Sequence, residues 1–119
     1  MIRVLLVDDN AGFRQAYNRL LELQPDIEVV GTAASLTEAR TMLSGVDVAL
    51  IDRGLPDGDG LELIGDLHGA NPGAKVLVLS ATVEAVHPRQ AIEAGAAGVL
   101  DKVEDPERIF AAIREVEGG

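Results

Sequence analysis

Three aspartates, a serine and a lysine are the residues of this 119-residue chain whose types and placement admit chemistry. Asp8 and Asp9 close the apolar run Ile2 to Val7, Asp52 closes Val46 to Ile51, Ser80 closes Val76 to Leu79, and Lys102 follows Ala97 to Asp101. Carboxylates gathered alone would resist joint ionisation, because like charges at close range destabilise one another. A divalent cation and a nearby ammonium remove that conflict. An oxygen-only donor set with open positions suits Mg²⁺ (or Mn²⁺), which keeps waters and takes one or two carboxylates together with phosphate oxygens. A carboxylate can also act as a nucleophile and form an aspartyl phosphate. The cation, Lys102 and Ser80 would then neutralise or hydrogen-bond the transferring oxygens. Each residue also has a plainer role. Asp8 and Asp9 are suited to capping a helix, Asp52 to a cap or turn, Ser80 to a turn, and Lys102 to a solvated surface. Lys102 is less casual than it looks, since the chain has two lysines against eight arginines.

Whether these five groups meet depends on the elements that carry them. Runs of four to eight residues rich in Val, Ile and Leu, bounded by Gly and Pro, read as strands buried on both faces. Strands are expected at Ile2 to Val7, Ile27 to Val30 closed by Gly31, Val46 to Ile51, Lys75 to Ser80 and Ala97 to Asp101. Between them the apolar spacing turns helical. The first helix carries Phe13, Ala16, Tyr17, Leu20 and Leu21 on one face, with Pro25 past its end. Ser35-Leu36-Thr37-Glu38 has capping-box spacing and opens a second helix with Leu36, Ala39, Met42 and Leu43 inward, ending near Gly45. Asp59-Gly60 starts a third helix with Leu61, Ile64 and Leu67 on one face, and Asn71-Pro72-Gly73 turns the chain. A fourth helix runs through Gln90, Ala91 and Ile92 and closes at Gly95. Asp105-Pro106 pairs an N-cap with a proline at the first helical position of a fifth helix, which carries Ile109, Ala112, Ile113 and Val116.

Five strands alternating with five helices mean right-handed βαβ units, a parallel sheet and helices on both faces. The strands of such a sheet point one way, so the five candidate residues share its carboxyl edge, where ligands bind in open α/β sheets. Composition agrees with one domain over residues 1–119. Hydrophobic residues make up 47% of the chain, and with 3% aromatics the core must be built from Val, Leu, Ile and Ala. The absence of cysteine removes disulfides and thiolate metal sites. A net charge of −10 argues against binding nucleic acid through the general surface of this domain. No apolar run approaches the length of a membrane span, and a cytoplasmic location is the default expectation.

Taken together, these residues resemble a response regulator receiver domain, the phosphoacceptor module of two-component signalling. The likeness covers the whole chain. It is carried by Val7-Asp8-Asp9, by Asp52-x-x-Leu55-Pro56-x-x-x-Gly60, by Ser80-Ala81, and by Lys102 after Gly95-Ala96-Ala97-Gly98. The resemblance implies a flavodoxin-like (βα)5 fold with strand order 2-1-3-4-5. It implies that Asp52 accepts a phosphoryl group from a sensor histidine kinase or a histidine phosphotransfer protein. Asp9 would bind Mg²⁺ directly, Asp8 mainly through water, and the backbone carbonyl of Gly54 would add a ligand. Lys102 would pair with a phosphoryl oxygen, and Ser80 would carry the switch to the output surface. Gly54 and Thr82 hold the positions that modulate loss of phosphate. Both are small, so water is expected to reach the acyl phosphate freely. The helix-one stretch and Pro25 to Gly31 resemble receivers joined to a LuxR-type helix-turn-helix domain, which implies a DNA-binding transcription regulator and allows a homodimer.

Several positions depart from the family's pattern. Val99 stands where a ring is usual, Asp101 where an apolar residue is common, and Val103 where many receivers place a proline after the lysine. Pro88 either shortens the fourth helix to begin near His87-Pro88, leaving Val83 and Val86 in a loop, or occupies its first turn. His68 and His87 read as surface or capping residues, and Arg53 as a solvated loop residue. Three other readings stand beside the receiver: a stand-alone phosphorelay shuttle, an aspartate-nucleophile phosphohydrolase and a flavin-binding module. The phosphohydrolase is disfavoured because the first acids are adjacent rather than two residues apart. The flavin module is disfavoured because strand one lacks a Ser/Thr-rich phosphate loop after it.

Overall fold

Apolar runs that can be buried on both faces form the centre of the molecule, a computed structural model that describes residues 1–81 and 87–118. In chain order the elements are β1 (Ile2–Val7), α1 (Ala11–Glu22), β2 (Ile27–Ala33), α2 (Leu36–Ala39), β3 (Val48–Asp52), β4 (Gly54–Leu55) and β5 (Gly58–Asp59). There follow α3 (Glu62–Ala70), β6 (Lys75–Ser80), α4 (Pro88–Glu93), β7 (Gly98–Asp101) and α5 (Pro106–Gly118). The five long strands form one sheet of order β2-β1-β3-β6-β7, parallel throughout. With β6 and β7 as the fourth and fifth long strands, this is the expected order 2-1-3-4-5.

Side chains alternate across the sheet with the period of two that a strand dictates. Leu5, Val7, Ala49, Ile51, Val76 and Val78 face one way and pack on Leu36, Leu63, Ile64, Leu67 and Ala91 of α2, α3 and α4. Val4, Leu6, Val48, Leu50, Leu77 and Leu79 face the other way and meet Tyr17, Leu21, Ile109, Phe110 and Ile113 of α1 and α5. Burying a Leu or Ile side chain fully contributes about 1.5–3 kcal/mol. The two layers therefore hold the strand ends, and whatever those ends carry, in fixed register.

Several local expectations change. Gly31 does not close β2, which runs on to Ala33. The pairing instead slips between Val4 and Leu5, so that Val29 lies opposite Val4 and Gly31 opposite Leu5. A side chain at Gly31 would meet Met42 Sδ at 2.9 Å, which explains the glycine without any turn. The second helix is one turn, Leu36–Ala39, although Met42 and Leu43 still pack on the core. Its cap is as expected: Ser35 Oγ accepts from Glu38 N at 3.1 Å. The Glu38 carboxylate accepts from Ala34 N at 3.1 Å, one residue before the cap. Ala16 is exposed rather than inward, because Tyr17 and Leu21 fill that face of α1. Asp59-Gly60 does not open the third helix. Gly54–Leu55 and Gly58–Asp59 pair as a short antiparallel ribbon, and α3 begins at Glu62. Pro88 is the first residue of α4 and His87 its left-handed cap, with φ 53°. Val83 and Val86 lie outside the described residues. At α5, Asp105 Oδ1 accepts from Glu107 N at 3.0 Å, as an N-cap should.

The Gly54–Asp59 loop is tied down by a residue that periodicity does not single out. Asp57 accepts from Leu36 N (2.8 Å), Thr37 N (3.0 Å) and Thr37 Oγ1 (2.8 Å), so it caps α2 from a distant loop. These donors stabilise the charged form and lower its pKa from 3.8 to about 2. A lowered folded-state pKa means stabilisation that is complete above the ordinary value and lost as pH falls through about 2. Asp57→Ala is expected to lower the melting temperature at pH 7, with the gap to wild type closing between pH 4 and pH 2. Thermal denaturation across that range checks it, and a gap independent of pH would refute it.

Candidate functional site

The carboxyl edge of the sheet collects the groups singled out in the sequence. β1 ends in Val7 and delivers Asp8 and Asp9, β3 ends on Asp52, β6 on Ser80, and β7 leads directly into Lys102. Asp8 is fully buried, Asp9 is exposed, and the Asp52 side chain keeps 13% of its exposure. One carboxylate oxygen from each lies within 4.8 Å of the others. Neither Asp8 nor Asp9 caps the first helix. Asn10 does, its Oδ1 accepting from Phe13 N at 2.9 Å. Asp8 is held by two local bonds instead: its Oδ1 accepts from Asn10 N at 2.8 Å, and its carbonyl accepts from Arg14 Nη1 at 2.8 Å.

Lys102 bridges the carboxylates. Its Nζ lies 2.5 Å from Asp8 Oδ2 and 3.4 Å from Asp52 Oδ2, and its own side chain is 15% exposed. The Asp8 contact is one of charge. Oδ2 is buried and takes no hydrogen bond of good direction, which leaves it oriented toward a cation. Burial opposes the charge on Lys102, but Asp8 and Asp52 outweigh it and hold the ammonium above its ordinary pKa. Burial raises the pKa of Asp52, the Lys102 charge draws it back, and the Asp8 charge raises it again, for a net upward shift. Three neighbouring carboxylates, with one ammonium paired to two of them, carry a surplus of negative charge. An all-oxygen donor set with one buried, undirected oxygen fits a hard divalent cation of the Mg²⁺ type.

Asp52, Gly54, Ser80 and Lys102 line an open depression of about 570 Å³ together with Arg53, Gly58, Asp59 and Ala81. Ser80 is 8% exposed, and its carbonyl accepts from Lys102 N at 2.7 Å, which joins β6 to the residue that carries the ammonium. Val99 sits on β7 opposite Val78, half-buried against the core. Asp101 turns its Oδ1 to Val103 N at 3.0 Å, so the acid at this position serves the loop that follows Lys102. No cis peptide bond occurs among the described residues, Lys102-Val103 included. His68 Nε2 lies 3.1 Å from the carbonyl of Ala74, a structural contact away from the site. Thr82 lies outside the described residues.

Arg53 corrects the expectation of a solvated residue. Its Nε donates to both Asp59 oxygens at 3.1–3.2 Å and its Nη2 to Gln90 Oε1 of α4 at 2.7 Å. The residue next to Asp52 therefore ties the loop after β3 to α4. The apolar spacing puts Phe13 only on the core face of α1, yet Lys102 Nζ lies 4.7 Å from its ring centroid. The only signal in the sequence was that the first turn of α1 follows directly on the two acids.

This fold, with these groups at its carboxyl edge, defines a class, and the comparisons with known proteins agree: the chain belongs to the response regulator receiver domain family, which it matches over residues 4–114. The transcriptional activator DevR/DosR of Mycobacterium tuberculosis is 36% identical over 121 residues, covering all of this chain and 56% of that protein. Response regulator UvrY of Escherichia coli K12 is 37% identical over 123 residues, again with all of this chain and 56% of the relative. The chain thus spans about half the length of the curated relatives it matches. A two-component response regulator of the LuxR family from Aurantimonas superposes with a TM-score of 0.89 at 31% identity, covering 98% of this chain and 85% of that one. CheY6 of R. sphaeroides, solved in complex with the P1 domain of CheA3, superposes at 0.82 with 31% identity, covering 98% and 97%. This is the family that the strand-end residues resemble, and the LuxR-family relative matches the likeness of the helix-one stretch. Among the described residues no helix is long and apolar enough to cross a membrane.

Proposed function

We propose that Asp52 is the phosphoacceptor of this receiver. The observation that carries the reading is the gathering of the Asp8, Asp9 and Asp52 carboxylates at the carboxyl edge, two of them (Asp8 and Asp52) paired with the Lys102 ammonium, with one buried carboxylate oxygen lacking a directed partner. An Asp52 oxygen attacks the phosphorus of a phosphohistidine on a sensor kinase or phosphotransfer protein. The O–P bond forms as the N–P bond breaks, and the imidazole leaves with a proton. Lys102 lies within one small side-chain shift of a phosphoryl oxygen on Asp52, and Ser80 lines the same depression. Asp8, Asp9, Asp52 and the Gly54 carbonyl would hold Mg²⁺ (or Mn²⁺), which supplies positive charge to the transferring oxygens. A histidine-bearing partner is supported by the CheY6 relative, which was solved with a kinase P1 domain.

The output is transcription regulation through an effector domain outside this chain, a reading supported by relatives of about twice its length. The domain itself works in the cytoplasm, as one unit over residues 1–119, and its chemistry is limited to accepting and losing one phosphoryl group. Loss is fast, because Gly54 and Thr82 are both small, and Gly54 is exposed with no described residue within 4 Å of where its side chain would be.

With Mg²⁺ and a small phosphodonor, intact-protein mass spectrometry should show the gain of one phosphoryl group in wild type and none in Asp52→Asn. Identical behaviour of the two proteins would sink the assignment. A phospho-form that persists for many hours at neutral pH with Mg²⁺ would sink the claim of open water access.

A further inference from the structure

We propose that Phe13 is a positioning residue for Lys102: its ring forms the back wall against which the ammonium is held in line with Asp52. The inference rests on Asp52 as the acceptor and adds a residue to that site. Among the described residues, Lys102 Nζ lies 2.5 Å from Asp8 Oδ2, 3.4 Å from Asp52 Oδ2 and 4.7 Å from the Phe13 centroid. A ring face attracts an ammonium within about 6 Å of its centroid, and more strongly where water is excluded. With 15% of the Lys102 side chain exposed, this contact is largely desolvated.

The ring is itself held. Phe13 stacks on Tyr17 with centroids 4.4 Å apart and planes 25° from parallel, Tyr17 is buried, and the Asn10 cap fixes Phe13 N. The chain has two phenylalanines and one tyrosine, and two of these three rings stand in a column behind the site. A core position of this kind needs only apolar bulk, which Leu supplies as well. Only a ring supplies an attractive face to a cation.

The chemistry gives a reason for a ring in place of a polar partner. Without a phosphoryl group the ammonium lies nearer Asp8 than Asp52. To stabilise charge on a phosphoryl oxygen it must turn toward Asp52. A carboxylate or amide behind it would claim a particular N–H and resist that turn. A π face attracts the charge without choosing a direction, so the ammonium can turn while the long Lys stem stays confined.

The test uses Phe13→Leu and Phe13→Tyr in the intact chain. Lys102 and Lys75 are the only lysines, and Lys75 is exposed, so selectively labelled lysine side chains give two signals with Lys75 as internal reference. The Lys102 Hε signals should lie upfield of those of Lys75 in wild type and Phe13→Tyr, and move to the Lys75 position in Phe13→Leu. In the presence of Mg²⁺, Phe13→Leu should bind beryllofluoride roughly three- to tenfold more weakly, with Phe13→Tyr close to wild type. Mg²⁺ affinity should stay unchanged in both variants. An unshifted Lys102 in wild type, or undiminished beryllofluoride binding by Phe13→Leu, would overturn the proposal. So would a parallel loss of Mg²⁺ affinity, which would mark a general packing defect. The lysine signals need no phosphoryl chemistry. A shifted Lys102 in a wild type that binds no beryllofluoride would therefore place the failure in the acceptor reading.

Discussion

Lys102→Met is expected to destabilise the cation-free protein by about 3 kcal/mol, the order of loss when one partner of a buried ion pair is removed. The size follows from Asp8. That carboxylate is fully buried, its Oδ1 is engaged by Asn10 N, and its Oδ2 has the Lys102 ammonium as its counter-charge. Methionine matches the stem of lysine in length and keeps the packing against Phe13, so the loss reports charge rather than volume. What remains is three carboxylates with mutual repulsion and no ammonium among them.

The same variant should bind Mg²⁺ about tenfold more tightly than wild type, since one unit of positive charge a few Å from the cation has been removed. Wild type must turn its ammonium away from Asp8 to admit a divalent ion, whereas Lys102→Met offers the carboxylates outright. Chemical denaturation with and without Mg²⁺ separates the two effects. The variant should be the weaker protein in chelator and should recover most of the gap at saturating Mg²⁺. Equal stability in chelator, or an equal gain from Mg²⁺ in both proteins, would refute this account of the site's electrostatics.

That account was largely legible in the residues that end strands. An apolar run fixes where its last residue lies, and a parallel sheet fixes which ends share an edge. Asp8, Asp9, Asp52, Ser80 and Lys102 are therefore brought to one edge by the sequence pattern alone. Side chains that act across elements leave no such trace. Asp57 caps a helix that starts 21 residues earlier, Arg53 reaches Gln90 across 37 residues, and Phe13 meets a lysine 89 positions away. Each has an ordinary local reading that periodicity cannot overrule: a turn acid, a solvated loop cation, a core ring. Strand and helix limits failed for a related reason. The one-turn α2 and the β4–β5 ribbon are set by tertiary contacts such as the Asp57 cap, which outweigh the weak preferences of short segments.

Arg53 bears on the position where the chain departs from its family. Val99 has no ring to swing between the core and the surface. Arg53, bonded to Asp59 and Gln90, is a side-chain tie between the residue beside Asp52 and α4. Charge added to Asp52 lies next to this guanidinium in sequence and in the same depression.

Gly60→Ala is expected to be the most damaging Gly→Ala change among the described glycines, costing about 3 kcal/mol or more through overpacking that has no room to relax. A Cβ built there lies 2.2 Å from the carbonyl oxygen of Asp52, 2.9 Å from Ile51 Cγ2 and 3.0 Å from Arg53 Cα. Two of these atoms are backbone, so no rotamer change can clear them. Gly60 is buried, and its N donates to the Arg53 carbonyl at 2.7 Å, which clamps the return of the loop onto the end of β3. The strand end must therefore move, and the Asp52 carboxylate moves with it. The variant should lose stability and phosphoryl acceptance together, and Mg²⁺ should not restore the second, because the fault is in geometry and not in charge. Gly65→Ala and Gly69→Ala are the matched controls. Both lie in α3, both are exposed, and a side chain at either meets no described residue within 4 Å. Alanine in a helix interior is favoured over glycine, so each control should gain about 0.5–1 kcal/mol. Circular-dichroism melts of the three variants decide the matter. A Gly60→Ala protein as stable as wild type would mean that the glycine between Asp59 and Leu61 is not what seats the loop after Asp52 against the strand.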